Sequence, residues 1–349
     1  CDWSSDVCSS DLFMKKIVSL LIVVMLITSL FIAGCSSQEE TQMKNIKLVE
    51  VTHSIFYAPQ YVAIEKGFFE EQGLNIELIN GGGADKCMAA LVSGEADIAF
   101  MGPEASIYVY LQGREDHAVN FAQLTQRDGS FIVGREKDDN FTVDKLRGKT
   151  ILGGRKGGVP LMALEYVIKQ NGLSPGTNVN VRTDVQFDMM AGAFASGEAD
   201  YTTLFEPLAS AFELQGNGYI LESVGGLAGY IPYTCYSSLN SYIKENPNVI
   251  QKFANALYKG MVWVEEHSVQ ETADVILPQF ADSDSEFIAK IVQTYKDLNT
   301  WNPDLVLGEE GYNRLIDIMK TAGEIEEGAP YDVIQTPEFA LKAKENYDR

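Results

Sequence analysis

The chain comprises 349 residues, 46% hydrophobic and 22% charged, a composition that builds a sizeable core and excludes disordered and fibrous proteins. With 49 Asp and Glu against 27 Lys and Arg the net charge is −22, which argues against nucleic acid as a partner and against attraction to an anionic membrane surface. The length suits about two domains.

Residues 1–13 (CDWSSDVCSSDLF) precede a methionine and show no apolar period, so they read as non-native upstream translation, and Cys1 and Cys8 are left out of any disulfide scheme. From Met14, two lysines, an apolar run over 17–33 and closing small residues make 14–34 a signal peptide; the run also approaches the length of the shortest membrane-spanning helices. Phe31-Ile32-Ala33-Gly34-Cys35 resembles the lipobox of bacterial lipoproteins. That resemblance implies cleavage before Cys35, lipidation of Cys35 and an extracytoplasmic protein anchored to the cell membrane. Residues 35–45 form a polar tether. The remaining thiols, Cys87 and Cys235, either pair or serve as two separate buried hydrophobes, the preferred reading.

From residue 46 short β-branched runs alternate with helical stretches, the pattern of α/β units around mainly parallel sheets. Strands are expected at 46–51, 74–79, 98–101, 118–124 and 131–133. A helix starts near Pro59, another runs through Met88 and Leu91 to a stop at Gly94, and a third covers 104–112. Residues 46–134 are assigned to lobe 1. Lobe 2, residues 140–232, takes strands at 150–152, 179–181, 201–204 and 219–221, helices at 160–170, 189–195 and 207–215, and ends in a loop rich in glycine (Gly225, Gly226, Gly229). Residues 233–349 form a return crossover and C-terminal helices, at 249–267, 269–277, 285–298 and 312–320, that pack mainly on lobe 1.

Ser93-Gly94-Glu95-Ala96-Asp97 recurs as Ser196-Gly197-Glu198-Ala199-Asp200, each copy ending an apolar helix and preceding a strand. Two similar α/β lobes account for the echo, as does convergence on a common helix–turn–strand solution. Ligands of open α/β sheets bind beyond the carboxyl ends of the strands, so the site is expected between the lobes. His53, Phe56 and Tyr57 follow the first strand. Gly82, Gly83 and Ala84 follow the second and let backbone N–H groups approach a bound group at a helix N-terminus. Gly154, Lys156, Gly157 and Gly158 occupy the corresponding loop of lobe 2. Both glycine clusters also suit tight surface turns, and neither matches a Walker or dinucleotide pattern. Gly102, Pro103 and Glu104 end the third strand. Glu104 and Glu206 stand at matching positions and either meet an amino-bearing ligand or complement the first turn of a helix. Arg127 pairs with a ligand anion or with Asp128. Tyr230 and Tyr233 stack on a ring or pack the hinge.

No metal, cofactor or catalytic group is expected. His53, His117 and His267 lie far apart, no metal-ligand spacing or Gly-x-Ser-x-Gly elbow occurs, and Cys87 sits in the apolar part of a helix, a poor nucleophile for His53 to activate.

The segment Ala58-Pro59-Gln60-Tyr61-Val62-Ala63-Ile64-Glu65-Lys66-Gly67-Phe68-Phe69, the Ser-Gly-Glu-Ala-Asp segment and Leu146-Arg147-Gly148-Lys149-Thr150-Ile151 together resemble the solute-binding proteins for aliphatic sulfonates, taurine, nitrate and thiamine pyrimidine precursors. The resemblance covers residues 46–340. It implies a two-lobed type II periplasmic-binding fold, a small-molecule solute held by lobe closure, delivery to an ABC permease with its ATPase subunits, and a monomer. A nitrogen heterocycle is favoured over a sulfonate or nitrate, because Glu104 and Glu206 would oppose a free anion. An exported enzyme of the same fold acting on a pyrimidine-like substrate is the alternative.

Overall fold

A computed structural model describes residues 43–348; the signal segment, Cys35 and most of the tether lie outside the described residues. Two five-stranded mixed sheets form the framework. The first contains β1 (Lys44–Glu50), β2 (Leu74–Asn80), β3 (Ile98–Met101), β4 (Ala118–Thr125) and β10 (Thr234–Leu239), in the order β2-β1-β3-β10-β4. The second contains β5 (Ser130–Gly134), β6 (Thr150–Leu152), β7 (Asn180–Arg182), β8 (Tyr201–Phe205) and β9 (Tyr219–Ser223), in the order β7-β6-β8-β5-β9. In each sheet the first three strands in spatial order run parallel, and the fourth, β10 or β5, pairs antiparallel with both its neighbours.

The helices linking the first sheet are α1 (Ala58–Glu65), α2 (Phe68–Glu71), α3 (Ala84–Ser93) and α4 (Glu104–Leu111). The single helix expected from Pro59 onward is divided between α1 and α2 because Gly67 takes φ 71°, a left-handed conformation that ends the first turn series. The second sheet carries α5 (Val159–Gln170), α6 (Met190–Ala195), α7 (Leu208–Leu214) and α8 (Val224–Ala228). The last of these occupies the stretch read as a glycine loop. Ser223 caps it by accepting from Gly226 N, and Gly225 is needed because a Cβ there would fall 2.0 Å from the Asp128 carbonyl.

The repeated pentapeptide is one structural device used twice. Asp97 N–H donates to the Lys47 carbonyl while its carboxylate accepts from Lys47 N–H at 2.9 Å, and Asp200 makes the same pair of bonds with Thr150. Gly94 and Gly197 turn at φ 78° and 94°, and Ser93 and Ser196 each donate from Oγ to the carbonyl three residues back. Each Asp thus clasps the entering strand of its own lobe, which requires that residue type at that spacing after the helix.

Ser130–Gly134 departs from its assignment to lobe 1. As β5 it lies between β8 and β9 of the second sheet, with Phe131, Ile132 and Val133 buried there. The chain has already crossed at residues 126–129. It returns just before β10, where Ile231 N–H donates to the Gln126 carbonyl and Tyr233 N–H to the Thr125 carbonyl, so the two crossings lie side by side.

The C-terminal helices are α9 (Asn240–Glu245), α10 (Pro247–Glu266), α11 (Val269–Ile276), α12 (Ser285–Asp297), α13 (Glu309–Ala322), α14 (Tyr331–Ile334) and α15 (Glu338–Tyr347). The amphipathic α10 packs on α1, α2 and α15. Gly260 permits that approach, since a Cβ would stand 2.5 Å from the Pro59 carbonyl and 2.8 Å from Ala63 Cβ. Burying side chains such as Ile250, Leu257 and Val264 contributes about 1.5–3 kcal/mol each. By contrast α13 packs on α5 of the second lobe, with Lys169 Nζ donating to the Thr321 carbonyl. Cys87 and Cys235 are free and buried.

Candidate functional site

A cavity of about 410 Å³ opens at the carboxyl ends of the strands and takes its wall from both lobes. Lobe 1 supplies Thr52 and Tyr57 after β1, Gly83 and Ala84 at the start of α3, and Gly102, Glu104 and Tyr108 around the start of α4. Lobe 2 supplies the loop Gly154, Arg155, Lys156, Gly157 and Gly158, the first turn of α5, and Phe187 and Phe205; Tyr233 and Thr234 close the back beside the return crossing. Met88, Val109, Val159 and Pro160 add apolar wall, so the chamber suits an organic molecule with few polar points.

Direct bonds join the two sides across this chamber. Glu104 Oε1 accepts from Val159 N–H at 3.3 Å, which brings a lobe 1 carboxyl group to the N-terminus of α5 in lobe 2. Tyr108 Oη donates to the Gly157 carbonyl at 2.9 Å, and Arg155 Nη1 meets Asp85 Oδ1 at 2.7 Å. Ser54 Oγ donates to the Glu206 carbonyl. The glycines of the lobe 2 loop let it reach the opposite rim, with Gly154 at φ 96° and Gly157 at φ 84°.

Glu104 dominates the electrostatics. It is 2% exposed, its Oε2 is buried without a hydrogen-bond partner, and burial pushes its carboxyl up to about 7 against the help of the Val159 N–H. The Tyr233 hydroxyl and Asp128 Oδ2 are also buried without partners, and burial pushes Asp128 up to about 6 despite two bonds from Ser130. Of the two loop cations, Arg155 pairs with Asp85, while Lys156 lines the cavity and makes no ion pair among the described residues; the nearby Glu165, raised by burial, pairs with Lys169.

Of the residues singled out in the sequence, Tyr57, Gly83, Ala84, Gly102, Glu104, Gly154, Lys156, Gly157, Gly158 and Tyr233 line the cavity, and the others lie off its wall for identifiable reasons. His53 turns away from the cavity, its Nδ1 meeting Glu50 at the end of β1 at 2.7 Å and its Nε2 the Gln279 carbonyl of the C-terminal region at 2.9 Å. The Phe56 ring packs on Gly129 of the outgoing crossing, within an aromatic cluster that includes Tyr57, Phe205, Tyr233 and Tyr295. Gly82 donates to Asn80 Oδ1, and Pro103 serves as the residue preceding α4. Arg127 lies 4.4 Å from the Tyr230 ring and donates to the Gly225 carbonyl, so this pair packs the hinge. Glu206 folds back onto its own helix, accepting from Ser210 N–H at 2.9 Å and Ser210 Oγ at 2.6 Å, and does not face the cavity. Burial raises its carboxyl, partly offset by those bonds.

Asp85, Tyr108, Phe187 and Thr234 were not anticipated. Tyr108 carries a readable signal, since it stands four residues after Glu104 on a helix and so shares its face. Among the described residues no group of His, Cys, Asp and Glu forms a metal site, and no helix is long and apolar enough to cross a membrane.

Residues 55–271 match the family described as NMT1/THI5 like. YtlA of Bacillus subtilis (strain 168), named provisionally as a binding protein, is 44% identical over 313 residues, spanning 90% of this chain and 93% of that protein. The alkanesulfonate-binding protein SsuA from Xanthomonas axonopodis pv. citri, bound to MOPS, superposes with a TM-score of 0.69 at 15% identity, over 84% of this chain and 98% of that one. The periplasmic nitrate-binding protein NrtA from Synechocystis PCC 6803 gives 0.71 at 16%, over 87% and 89%. A ligand-binding component of an ABC-type import system from Staphylococcus aureus, with zinc bound, gives 0.69 at 16%, over 86% and 99%. At these identities the shared property is the two-lobed fold.

Proposed function

Because the chain belongs to the NMT1/THI5-like family, we propose that it is the solute-binding component of an ABC-type uptake system, capturing a small organic molecule between its lobes. It is a binding protein and not an enzyme, in keeping with the YtlA name. The observation that carries the reading is the cavity itself, walled by both lobes and bridged by Glu104, Tyr108 and Arg155. A solute contacting both walls shifts an open–closed equilibrium by its differential affinity for the closed form, and a permease with its ATPase subunits reads closure. The protein works as a monomer outside the cytoplasm, held to the membrane by lipid on Cys35.

The solute favoured is a nitrogen heterocycle bearing an N–H donor. The unpartnered Glu104 oxygen supports this, as do the pairing of Arg155 with Asp85 and the rings of Tyr57, Phe205 and Tyr233. Glu206, expected to share that role, is occupied by Ser210, so the assignment rests on Glu104. A melting screen against 4-aminopyrimidine, taurine, ethanesulfonate and nitrate tests it. Stabilisation by the pyrimidine, recovered intact, is expected. Stabilisation by the anions alone would replace the heterocycle with a sulfonate or nitrate, and conversion of the pyrimidine to a product would restore the enzyme alternative.

A further inference from the structure

We propose that Glu104 senses whether the cleft is loaded: one carboxyl oxygen bridges to the N-terminus of α5 across the lobes and the other is left for a hydrogen-bond donor on the solute, so closure is penalised when the cavity is empty and relieved when a donor-bearing molecule fills it. This deepens the receptor reading and rests on the cavity being the solute site.

The geometry is specific to this position. The carboxyl group folds over Gly102, where a Cβ would lie 2.0 Å from Oε2 and 2.6 Å from Oε1, so a side chain at residue 102 would displace it. With the lobes bridged as they are here, the group is 2% exposed and has a single cross-lobe donor. A buried carboxylate with one oxygen unpaired is costly, and the cost is avoided either by protonation or by a donor brought in with the solute.

The sign of the pH effect follows. In solvent the carboxyl titrates near its ordinary 4.5, and in the closed form burial moves it up to about 7, so closing an empty cleft takes up a proton between those values. Empty closure is therefore favoured at low pH and opposed at high pH, by up to roughly three hundredfold in the equilibrium constant. Asp128 in the outgoing crossing, pushed up to about 6 by burial, titrates in the same window but lies off the cavity wall, so Glu104→Gln, which leaves Asp128 in place, assigns the pH effect. Tyr108 on its own helix, and Tyr233 and Cys235 from the return segment, have pKa values raised by burial above their ordinary 9.0–10.0 and stay neutral. On the rim, Arg155 is paired with Asp85 and Lys156 lines the cavity, while Glu324 stands beside Gly157 and the Tyr108 hydroxyl and Glu165 pairs with Lys169.

Hydrogen exchange of the full-length protein, followed in the peptide covering residues 153–162 and corrected for intrinsic rates, reports closure directly. In the solute-free wild type, protection at pH 5.5 should exceed that at pH 8 by about tenfold or more. Saturating 4-aminopyrimidine at pH 8 should restore it. Glu104→Gln, neutral at every pH, should be protected equally at both without any solute, and Gly102→Ala should blunt the pH difference. Glu104→Gln protein that keeps the wild-type pH difference would overturn the sensor, as would a wild type equally protected at both pH values. If 4-aminopyrimidine, taurine and nitrate all leave protection unchanged while the solute-free pH difference appears and vanishes in Glu104→Gln, the choice of solute fails and the sensor stands.

Discussion

The cross-lobe bonds should not contribute equally, and their ranking tests the picture of a closed cleft. Tyr108→Phe removes one hydroxyl and leaves the Gly157 carbonyl without its partner at 2.9 Å. A half-buried neutral hydrogen bond is worth about 1 kcal/mol, so the closing equilibrium should fall about fivefold. Arg155→Ala deletes a shorter, charged contact, 2.7 Å from Asp85, yet those side chains are 41% and 55% exposed. Solvent screening and the entropy of holding two long side chains reduce such pairs to about 0.2–1 kcal/mol, roughly 1.5- to fivefold, with further loss in salt. Protection of residues 153–158 against hydrogen exchange, measured solute-free at pH 5.5, scales with the closing constant when reopening is fast. Tyr108→Phe is expected to lower it more than Arg155→Ala, and high salt should shrink only the effect of Arg155. The reverse order, with Arg155→Ala costing more than about tenfold, would mean that long-range charge draws the rims together and would refute the ranking.

Asp97→Ala and Asp200→Ala should each destabilise the fold by about 1–2 kcal/mol in chemical denaturation, and the double variant should show their sum because the clasps sit in separate sheets. Gly260→Ala should cost about 2 kcal/mol or more, read as a lowered melting midpoint, because the new methyl meets the Pro59 carbonyl at 2.5 Å with no space to relax. His53 is pulled in two directions, burial opposing its charge while Glu50 and the Gln279 carbonyl favour it, and the outcome is a pKa above 6.5. A raised histidine contributes stability that is fully present below pH 6.5 and lost as pH rises through its folded value, so His53→Gln should reduce stability more at pH 5.5 than at pH 8 in paired denaturant titrations.

Much of this arrangement was legible because local rules and global fold agree. Alternating β-branched runs located most strands, Gly94 marked a true left-handed helix end, and the repeated pentapeptide pointed to two similar lobes, its strand clasps emerging only in three dimensions. Gly83 and the loop from Gly154 to Gly158 line the cavity, since a loop at a strand's carboxyl end has few other places to go. What local pattern could not supply was direction. Phe56 and Tyr57 are neighbours, yet one packs against the crossing at Gly129 and the other lines the chamber. Glu104 and Glu206 occupy matching positions, but Ser210 stands four residues after Glu206 and captures it, whereas Ala105 and Tyr108 leave Glu104 open. The placement of β5 also depends on pairing with β8, a partner some seventy residues away in sequence that no short window reveals.

The paired crossings have a consequence for how such a molecule can be rebuilt. Everything in the second sheet leaves the first at Gln126 and rejoins it at Ile231, and those two residues are hydrogen-bonded to each other. The intervening stretch is thus a cassette with one covalent seam, held further by Lys169 and Arg314 where α13 rests on it and by the bonds across the cavity. A chimera that exchanges the cassette for a relative's must match its host at that seam, along the α13 face and at the cross-lobe partners of Glu104, Tyr108, Asp85 and Ser54.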